Sequence, residues 1–591
     1  MLILTEKPSV AKDFASALGC SFSAGVYKNA TTTITNCIGH LFELEEPAHY
    51  GTEIPIIPDR FDYRMNFSVE KQAKFVVKLL REHKTDSILI ATDADREGEV
   101  IARECLAQAG ITDFSRIRRF WVSEALTAEV VKNGIRNAKP LSEYDTLAEQ
   151  GFARQRADWL TGMNFSRYIT QAANRKLAVG RVQTAILSAI GERCDKIKNF
   201  KSEKYFEHYG VFQTQPTYGG SSSVCRGIYF ENEETGFSDS SRDEKLKACV
   251  GAKAKLIDSK TEKKIQNPPQ LYNLNALQKD AFKLFGYSAD KTLKITQSLY
   301  EEWKCVSYPR TPSRVMGSGN VELCNRIADS FCSKNLFIKK VVRPQMDISL
   351  SNKRCFDDKK LEAHHALIPL KSLPENASEE QEYIYRLIFD RFLTAFLPPC
   401  EYEKQIFILN VNANKFRITG KKILKRGWKE LNTDNNRRLE AETKSDGENE
   451  SDEEQPLENI DWNALTLSEI DTKEKWTKPP AYFNEASILS FMENPKASNG
   501  VANRHMTVES ESNPQKKLVG LGTAATRHTF IPKLTKYGYI SLDKKSLVIT
   551  PLGETLLKAV RSSSLKSLAD IAATTEWEER LDENPEKFLS D

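Results

Sequence analysis

Four carboxylates stand at alternate positions in the segment ATDADREGEV, residues 91–100: Asp93, Asp95, Glu97 and Glu99. Carboxylates this close repel one another and raise each other's pKa, so the cluster is costly unless a cation balances it. Hard oxygen ligands of this kind suit Mg²⁺. The alternative is a solvated acidic turn at a helix N-terminus, where the helix dipole favours one or two carboxylates. The spacing of all four favours the metal site.

The elements around this segment bring a further carboxylate to it. The apolar run 87–90 predicts a buried strand before the cluster, and LILT, residues 2–5, predicts a second strand that ends at Glu6. A helical pattern follows each strand, one beginning near Pro8 and the other closed by Gly110. Strands that alternate with helices indicate a mainly parallel sheet, whose functional crevice lies beyond the carboxyl ends of its strands. The predicted Mg²⁺ ligands at that edge are Glu6, Asp93, Asp95 and Glu97.

The composition limits the classes of protein. A length of 591 residues exceeds one hydrophobic core, so three or four domains are expected. The net charge of +4 permits nucleic-acid binding without requiring it. Neither a secretion signal nor an apolar run long enough to span a membrane is evident, which predicts a cytoplasmic protein without membrane contact. The 11 cysteines form no C-x-x-C pair, so free thiols are expected.

Two groups of motifs carry a resemblance to known families. TEKPS together with ATDADREGE resembles the Toprim domain, a metal-binding module shared by topoisomerases, bacterial primases and some nucleases. Residues 268–312, which include VSYPRTP, resemble the active-site segment of type IA DNA topoisomerases. The pattern is closest to topoisomerase III, and it continues in the family's order through EQGFARQRADWLTGMNFSR, AVGRVQTAIL, EAHHALIPL, GLGTAATRHTFIPKLTKYGYI and TTEWEERL.

This resemblance covers nearly the whole chain. It is weak in 210–265 and 432–470, and the chain departs from the family's pattern at Pro312, at Leu370 and in TAIL, residues 184–187. These departures concern DNA contacts and leave the nucleophile in place.

The resemblance implies that Tyr308 attacks a DNA phosphodiester and forms a covalent 5′-phosphotyrosine. Two transesterifications conserve the phosphodiester energy, so no ATP is required, and the sequence contains no G-x-x-x-x-G-K-[ST] motif. Glu6 is expected to act on the 3′-oxygen as acid or base, to bind the metal, or both. Lys7, Arg310 and His364 are the cations expected to stabilise the charge that builds on the phosphate.

Single-stranded DNA contacts are implied for two helical segments and for the start of a third helix. Arg154 and Asp158 stand at i and i+4, a spacing that a salt bridge within a helix would also explain. Residues 522–527, GTAATR, offer a hydroxyl-rich helix N-terminus suited to phosphate. The expected DNA contacts are Arg154, Asp158, Arg181, Gln183, Thr526 and Arg527.

The expected fold is a multidomain α/β, α and β protein in which a doubly wound parallel Toprim sheet, helical domains and a β arch form a toroid. Period-two alternation predicts antiparallel strands in 204–262 and 400–430, which are expected to pair although they lie far apart in the sequence. The acidic segment 444–459 is expected to be a disordered loop. The predicted domains are 1–145 (Toprim), 146–203 and 476–591 (helical, DNA-binding), 204–268 and 400–475 (β arch) and 269–399 (helical, with the tyrosine).

The expected function is that of an ATP-independent, Mg²⁺-dependent type IA topoisomerase that relaxes negative supercoils, decatenates DNA, or both. Its partner is single-stranded or negatively supercoiled DNA, and a helicase or single-strand-binding protein is a candidate protein partner. A monomer located in the cytoplasm with the nucleoid is expected. A Toprim nuclease or primase is the alternative, and it would not need Tyr308. A non-catalytic single-strand-binding protein would tolerate loss of the carboxylates.

Overall fold

The computed structural model describes residues 1–122, 126–214, 223–361, 364–431, 433–439, 457, 460–495, 520–524 and 526–590. Apart from residue 457, the acidic segment 444–459 lies outside these ranges, so its predicted disorder stays a prediction. No helix in the described ranges has both the length and the apolar character needed to cross a bilayer. All 11 cysteines are free thiols, as expected, and all but Cys20 and Cys194 are buried.

The N-terminal part of the chain contains a mixed sheet and a hairpin. The strands are β1 (Leu2–Thr5), β2 (Ser21–Ser23), β3 (Val26–Lys28), β4 (Thr33–Asn36), β5 (Phe42–Leu44), β6 (Tyr63–Met65), β7 (Ile88–Ala91), β8 (Ile117–Arg119) and β9 (Lys139–Pro140). Strands β5 and β6 form the hairpin, and the others form a seven-stranded sheet in the order β2-β3-β4-β1-β7-β8-β9. The central pairs β1–β4, β1–β7 and β7–β8 are parallel, so the predicted mainly parallel sheet is confirmed.

Helices cover both faces of this sheet. They are α1 (Pro8–Leu18), α2 (Pro47–Tyr50), α3 (Glu70–Glu82), α4 (Arg96–Gln108) and α5 (Ala128–Arg136). Leu2 and Leu4 of β1 pack in one core with α3 and α4, whereas Ile3 packs in a second core with α1 and α5. A strand that is buried on both faces needs apolar residues at every position, which explains the uninterrupted run LILT.

The carboxyl ends of β1 and β7 lie side by side because Thr5 pairs with Ala91. Glu6 and the loop 92–95 therefore begin at the same edge of the sheet. The loop turns tightly into α4: the Asp95 side chain caps the helix by accepting a hydrogen bond from Gly98 N at 2.7 Å. A Cβ on Gly98 would stand 2.3 Å from the Asp93 carbonyl oxygen, so the close approach requires glycine.

A helical unit follows in the chain. Helix α6 (Asp145–Leu160) continues through a π-helical turn (Thr161–Phe165) into α7 (Ser166–Ala173), and α8 (Arg181–Lys198) begins after Gly180. Helix α6 packs against α4, so it lies directly behind the acidic edge.

A six-stranded antiparallel sheet is built from distant parts of the chain. Its strands are β10 (Lys204–Thr214), β11 (Val224–Tyr229), β12 (Lys255–Gln266), β13 (Cys400–Val411), β14 (Asn414–Lys425) and β15 (Leu465–Trp476), and α9 (Arg242–Lys247) packs on β15. The order is β12-β13-β14-β11-β10-β15, and β12 pairs with β13 while β11 pairs with β14. The predicted pairing of these two distant segments is confirmed.

The tyrosine-bearing segment is inserted between β12 and β13. Its helices are α10 (Leu274–Phe285), α11 (Ala289–Glu301), α12 (Val321–Cys332) and α13 (Glu379–Ala395). Helix α10 ends at Gly286, which adopts φ 70° as the sequence indicates. Tyr308 follows α11 in the chain.

The last part of the chain returns to the first helical unit. It contains α14 (Glu485–Glu493), α15 (Arg527–Lys536), β16 (Ile540–Asp543), β17 (Ser546–Ile549), α16 (Pro551–Arg561), α17 (Ile571–Glu583) and α18 (Pro585–Ser590). One hydrophobic core joins side chains of α7 and α8 to those of α14, α15 and α16. Helix α17 packs against both α6 and α8. The two chain segments therefore fold as one body.

We expect Gly98→Ala to lower the midpoint of thermal unfolding, since its methyl group would collide with the Asp93 backbone. Overpacking of this kind costs about 1–3 kcal/mol. Gly162→Ala is the matched control, because among the described residues no atom beyond its chain neighbours and its own helix backbone lies within 4 Å of the position that its Cβ would take. Melting curves followed by circular dichroism compare the two variants, and equal midpoints would contradict the close approach at Gly98.

Candidate active site

Tyr308 lies against the acidic edge of the parallel sheet. Its phenol donates a hydrogen bond to Asp93 Oδ2 at 2.7 Å, and its side chain is buried, with the residue 6% exposed. Burial, and then the negative charges of Asp93, Asp95 and Glu6, raise the pKa of the phenol well above its ordinary value. The structure therefore brings the predicted nucleophile to the predicted carboxylates with its proton in place.

Asp93 is the shared partner of two predicted catalytic side chains. Lys7 Nζ donates to the same Oδ2 atom at 2.9 Å and lies 3.9 Å from Glu6 Oε1. Burial disfavours the Asp93 carboxylate, but the charge of Lys7 and the hydrogen bonds from Lys7 and Tyr308 outweigh it, so the pKa of Asp93 is lowered. Burial likewise opposes the Lys7 cation, yet Asp93 and Glu6 raise its pKa. The pair is held as carboxylate and ammonium.

Glu6 and Asp95 behave in the opposite way. Glu6 Oε2 accepts a hydrogen bond from Asp93 N at 3.1 Å. Burial and the neighbouring Asp93 charge raise the pKa of Glu6 to about 8, so Glu6 carries a proton in most molecules at neutral pH. Burial, and then Asp93, also raise the pKa of Asp95. The edge thus holds more carboxylates than its single ammonium balances.

Glu97 is held by a histidine. Its Oε1 lies 2.7 Å from His40 Nε2, and His40 Nδ1 lies 3.1 Å from Glu104 Oε2. Burial opposes the imidazolium, but hydrogen bonds to Glu104 and Glu97 raise the pKa of His40 to about 10. The hydrogen bond from His40 in turn lowers the pKa of Glu97. The structure therefore gives this predicted metal ligand a partner of its own, His40.

The donor chemistry at the edge fits Mg²⁺. Glu6, Asp93 and Asp95 offer hard oxygen ligands, and the pKa values of Glu6 and Asp95 are raised by burial and then by repulsion from Asp93, which a divalent cation would offset. Across the described residues, no three His, Cys, Asp or Glu side chains converge into a group that could hold a metal ion. Glu97 is paired with His40, and Glu6, Asp93 and Asp95 as described do not form such a group by themselves.

Arg119, at the end of β8, fixes the loop that carries Asp93, and sequence reasoning did not single it out. Its buried guanidinium donates to the Thr92 carbonyl at 2.8 Å and to the Asp93 carbonyl at 2.5 Å. It also pairs with Glu99 at 2.8 Å, and Glu99 accepts from Arg103 at 2.9 Å. The fourth carboxylate of the motif is therefore a buried counter-ion. The signal available in the sequence was an arginine within a buried strand, because a buried charge needs a partner and its residue is therefore worth singling out.

Two further predicted catalytic side chains lie near the nucleophile. The ring centroids of His364 and Tyr308 are 4.3 Å apart. Burial lowers the pKa of His364 to about 4, and neither ring nitrogen has a hydrogen-bond partner in the part of the chain that the structure describes. Arg310 Nη2 contacts Gln297 Oε1 at 3.4 Å, while its buried Nε has no such partner. These unpartnered polar atoms beside a nucleophile are suited to an oxyanion.

The predicted DNA contacts Arg154, Asp158 and Arg181 meet in an ion-pair cluster with Glu578 of α17. Arg154 and Arg181 both donate to Glu578, and Arg181 also pairs with Asp158 at 3.1 Å. A salt bridge between Arg154 and Asp158, the alternative from their spacing, is not the arrangement in this structure: each side chain has another partner. Sequence reasoning did not single out Glu578.

Of the other three predicted DNA contacts, Gln183 and Arg527 are buried and Thr526 is half-buried. Gln183 lies in the first turn of α8, with a buried Nε2 that has no partner among the described atoms. Thr526 is the N-cap of α15, and its hydroxyl accepts from Thr523 N at 3.1 Å. Arg527 folds back so that its Nε donates to the Leu521 carbonyl at 3.1 Å. The positions of these side chains do not show whether they contact DNA, so the predicted DNA-binding roles stay predictions.

Comparison with known proteins assigns the chain to a family. A family model described as DNA topoisomerase matches residues 142–586, and one described as Toprim domain matches residues 1–125. DNA topoisomerase 3 of Bacillus licheniformis is 34% identical, covering 98% of this chain and 77% of that protein. DNA topoisomerase 3 of Bacillus subtilis is 32% identical, covering 98% of this chain and 78% of that protein.

A solved structure shows the same fold. Full-length topoisomerase I from Thermotoga maritima matches with a TM-score of 0.71 at 21% identity, covering 99% of this chain and 87% of that one. The match confirms the predicted fold class, a toroid assembled from an α/β Toprim unit, helical units and a β arch.

Glu6→Gln should change how stability depends on pH in protein freed of metal by EDTA. The Glu6 pKa rises from 4.5 to about 8 on folding, so the unfolded chain loses this proton first and stability falls as pH rises between those values. The amide in Glu6→Gln does not titrate, so the variant lacks this fall in stability with rising pH. The stabilisation of Glu6→Gln relative to wild type should therefore grow from pH 4.5 to about 8 and then level off.

Thermal melts across this pH range test the expectation, with Glu53→Gln as the control at an exposed glutamate. A difference between Glu6→Gln and wild type that does not change with pH would contradict the buried, protonated Glu6.

Proposed function

The chain belongs to the type IA DNA topoisomerase family, and on this basis we propose that Tyr308 cleaves one DNA strand so that another can pass before rejoining. The hydrogen bond from Tyr308 to Asp93 carries the proposal, because it joins a nucleophile to an acidic edge contributed by a distant part of the chain. A Toprim nuclease or primase would share the edge but would have no use for a buried tyrosine there.

Attack by the phenol begins the first transesterification. The Tyr308 oxygen forms a bond to phosphorus and the bond from phosphorus to the 3′-oxygen breaks, which leaves a 5′-phosphotyrosine. Asp93 Oδ2 is 2.7 Å from the phenol oxygen and is the proton acceptor that this geometry offers. Because the phenol pKa is raised and the Asp93 pKa is lowered, we infer that the proton leaves as the new bond forms.

Glu6 is suited to protonate the leaving group. With a pKa of about 8, it carries a proton at neutral pH that it can give to the departing 3′-oxygen. Of the two proton-transfer roles expected for Glu6, acid or base, we propose the general acid in cleavage, and Glu6 also stays a candidate metal ligand. Rejoining reverses both transfers: the 3′-hydroxyl returns its proton to Glu6 and Asp93 returns its proton to Tyr308.

Two cations, Lys7 and Arg310, and one neutral donor, His364, are proposed to stabilise the phosphate in the transition state. Lys7 is already at the edge, and Arg310 presents a guanidinium with a buried, unpartnered Nε atom two residues after the nucleophile. His364, whose lowered pKa keeps the ring neutral, can donate one N–H to a phosphate oxygen. Charge-assisted donors in a water-poor site are strong ligands for a developing oxyanion.

Mg²⁺ is the proposed cofactor, with Glu6, Asp93, Asp95 and Glu97 as the candidate residues to hold it. When bound, the ion would neutralise charge at the edge and orient the phosphodiester. Glu97 would have to release His40 in order to take part.

The substrate proposed is single-stranded or negatively supercoiled DNA, since a strand with unstacked bases can reach the buried side chains that we propose to bind its phosphate. Relaxation, decatenation or both are consistent with this chemistry. A monomer acting in the cytoplasm on nucleoid DNA, with a helicase or single-strand-binding protein as partner, completes the proposal. The domain ranges predicted from the sequence are also part of this proposal.

Relaxation of negatively supercoiled plasmid should require Mg²⁺ and proceed without ATP. The carboxylate edge needs a cation, whereas the two transesterifications need no nucleotide energy. Gel assays with Mg²⁺, with excess EDTA, and with EDTA followed by Mg²⁺ measure this directly. Full activity in EDTA, or strict dependence on ATP, would refute the prediction.

Tyr308→Phe should abolish strand cleavage and relaxation together while leaving folding and binding of a single-stranded oligonucleotide nearly unchanged. The variant keeps the ring and its packing on His364 and removes only the attacking oxygen. Tyr300→Phe is the matched control, because its ring lies 5.6 Å from that of Tyr308 and loses the same atom. Residual relaxation by Tyr308→Phe would favour the Toprim nuclease.

A further inference from the structure

Glu578 is a buried carboxylate between two arginines that the sequence predicts to bind DNA. Its Oε1 accepts from Arg181 Nη1 and its Oε2 accepts from Arg154 Nη2, and the residue is only 3% exposed. The three side chains come from different helices, Arg154 from α6, Arg181 from α8 and Glu578 from α17. The cluster therefore connects the end of the chain to the helices next to the acidic edge.

The cluster is held by charge. Burial disfavours the Glu578 anion, but Arg181 and Arg154 outweigh it and lower the pKa of the carboxyl below its ordinary value. Arg181 has Asp158 as a second partner at 3.1 Å, and the Asp158 side chain is about half exposed. Arg154 Nε is buried without a hydrogen-bond partner in the described ranges. Glu578 thus meets one guanidinium that has another carboxylate and one whose hydrogen bonding is incomplete.

The arrangement matches the requirements of a phosphodiester. A phosphodiester carries one negative charge and two non-bridging oxygens, and here each oxygen of a carboxylate faces its own guanidinium. After His40, the charges of Arg154 and Arg96 also contribute to lowering the pKa of Glu97, which places Arg154 near the acidic edge. A phosphate held by the two arginines would therefore belong to the strand that reaches Tyr308.

We propose that Arg154 and Arg181 form a phosphate site of the bound DNA strand and that Glu578 fills this site until DNA enters. The inference rests on the proposed function and adds a residue that blocks its DNA path. On binding, the phosphate replaces the Glu578 carboxylate and the carboxylate moves to solvent. Asp158 keeps its contact with Arg181 and so holds that guanidinium in place during the exchange.

Glu578→Gln tests the exchange with little change in shape. The amide removes the competing charge, so a single-stranded oligonucleotide should bind about tenfold more tightly, as expected when a competitor that fills a site about nine-tenths of the time is lost. Glu576→Gln is the matched control, since Glu576 lies exposed on the same helix and undergoes the same change in charge. Its affinity should stay within about twofold of wild type, because exposed charges are screened by salt.

Fluorescence anisotropy with a labelled oligonucleotide measures all three affinities. Unchanged or weaker binding by Glu578→Gln would show that Glu578 only holds the helices together, and the inference would be wrong. An equal gain in Glu576→Gln would show a general charge effect and would overturn it too.

Wild-type protein provides a second measurement in case Glu578→Gln does not fold. Adding the oligonucleotide should increase amide hydrogen exchange within α17, since its contact with α6 and α8 is released, while α8 itself stays protected. Unchanged or slower exchange in α17 would mean that Glu578 keeps its arginines in the complex, which contradicts the proposal.

The proposed function and the Glu578 exchange can be refuted independently of each other. Wild-type protein that forms a covalent adduct with DNA but shows neither the affinity gain nor faster exchange would leave the proposed function standing without the Glu578 exchange. Wild-type protein that binds no single-stranded DNA at all would refute both.

Discussion

The hydrogen bond between the Tyr308 phenol and Asp93 is the constraint on which the rest of the site depends. It requires an ionised Asp93 at a buried position. Burial disfavours that carboxylate, and the positive charge of Lys7 offsets the cost. The loop must also stand at a fixed place, which Arg119 secures through two backbone carbonyls and Gly98 through its missing side chain. The parallel sheet, the loop 92–95 and the start of α4 together place Asp93 Oδ2 within hydrogen-bond distance of the Tyr308 hydroxyl.

The same contact closes the site. Tyr308 is buried because the tyrosine-bearing unit lies directly on the acidic edge, and ion pairs around the contact hold the two sides together. Lys304 pairs with Asp13 of α1 at 2.6 Å, and Lys279 pairs with Glu493 of α14 at 3.0 Å. On the proposed function, passage of a strand requires these half-buried ion pairs to break and form again in each cycle.

Local signals carried much of the prediction from sequence. Helix α1 begins at Pro8 and is closed by Gly19, and the apolar run 2–5 forms the central strand. Both features are predictable because they depend on residues that are neighbours in the sequence. Tyr308 could be singled out only by resemblance, since a tyrosine before a proline is an ordinary turn. The partners of Glu97, Glu99 and Arg154 could not be found in this way. His40, Arg119 and Glu578 reach them through the fold, and no spacing along the chain records such a contact.

The central claim is that the Tyr308 oxygen becomes bonded to the 5′ phosphate of a cleaved strand. Wild-type protein stopped with denaturant during turnover on a single-stranded oligonucleotide, then digested and analysed by mass spectrometry, measures this bond. We predict a nucleotide attached through its 5′ phosphate to the peptide that contains Tyr308. Attachment to another residue, attachment through a 3′ phosphate, or cleaved DNA with no protein adduct would contradict the account.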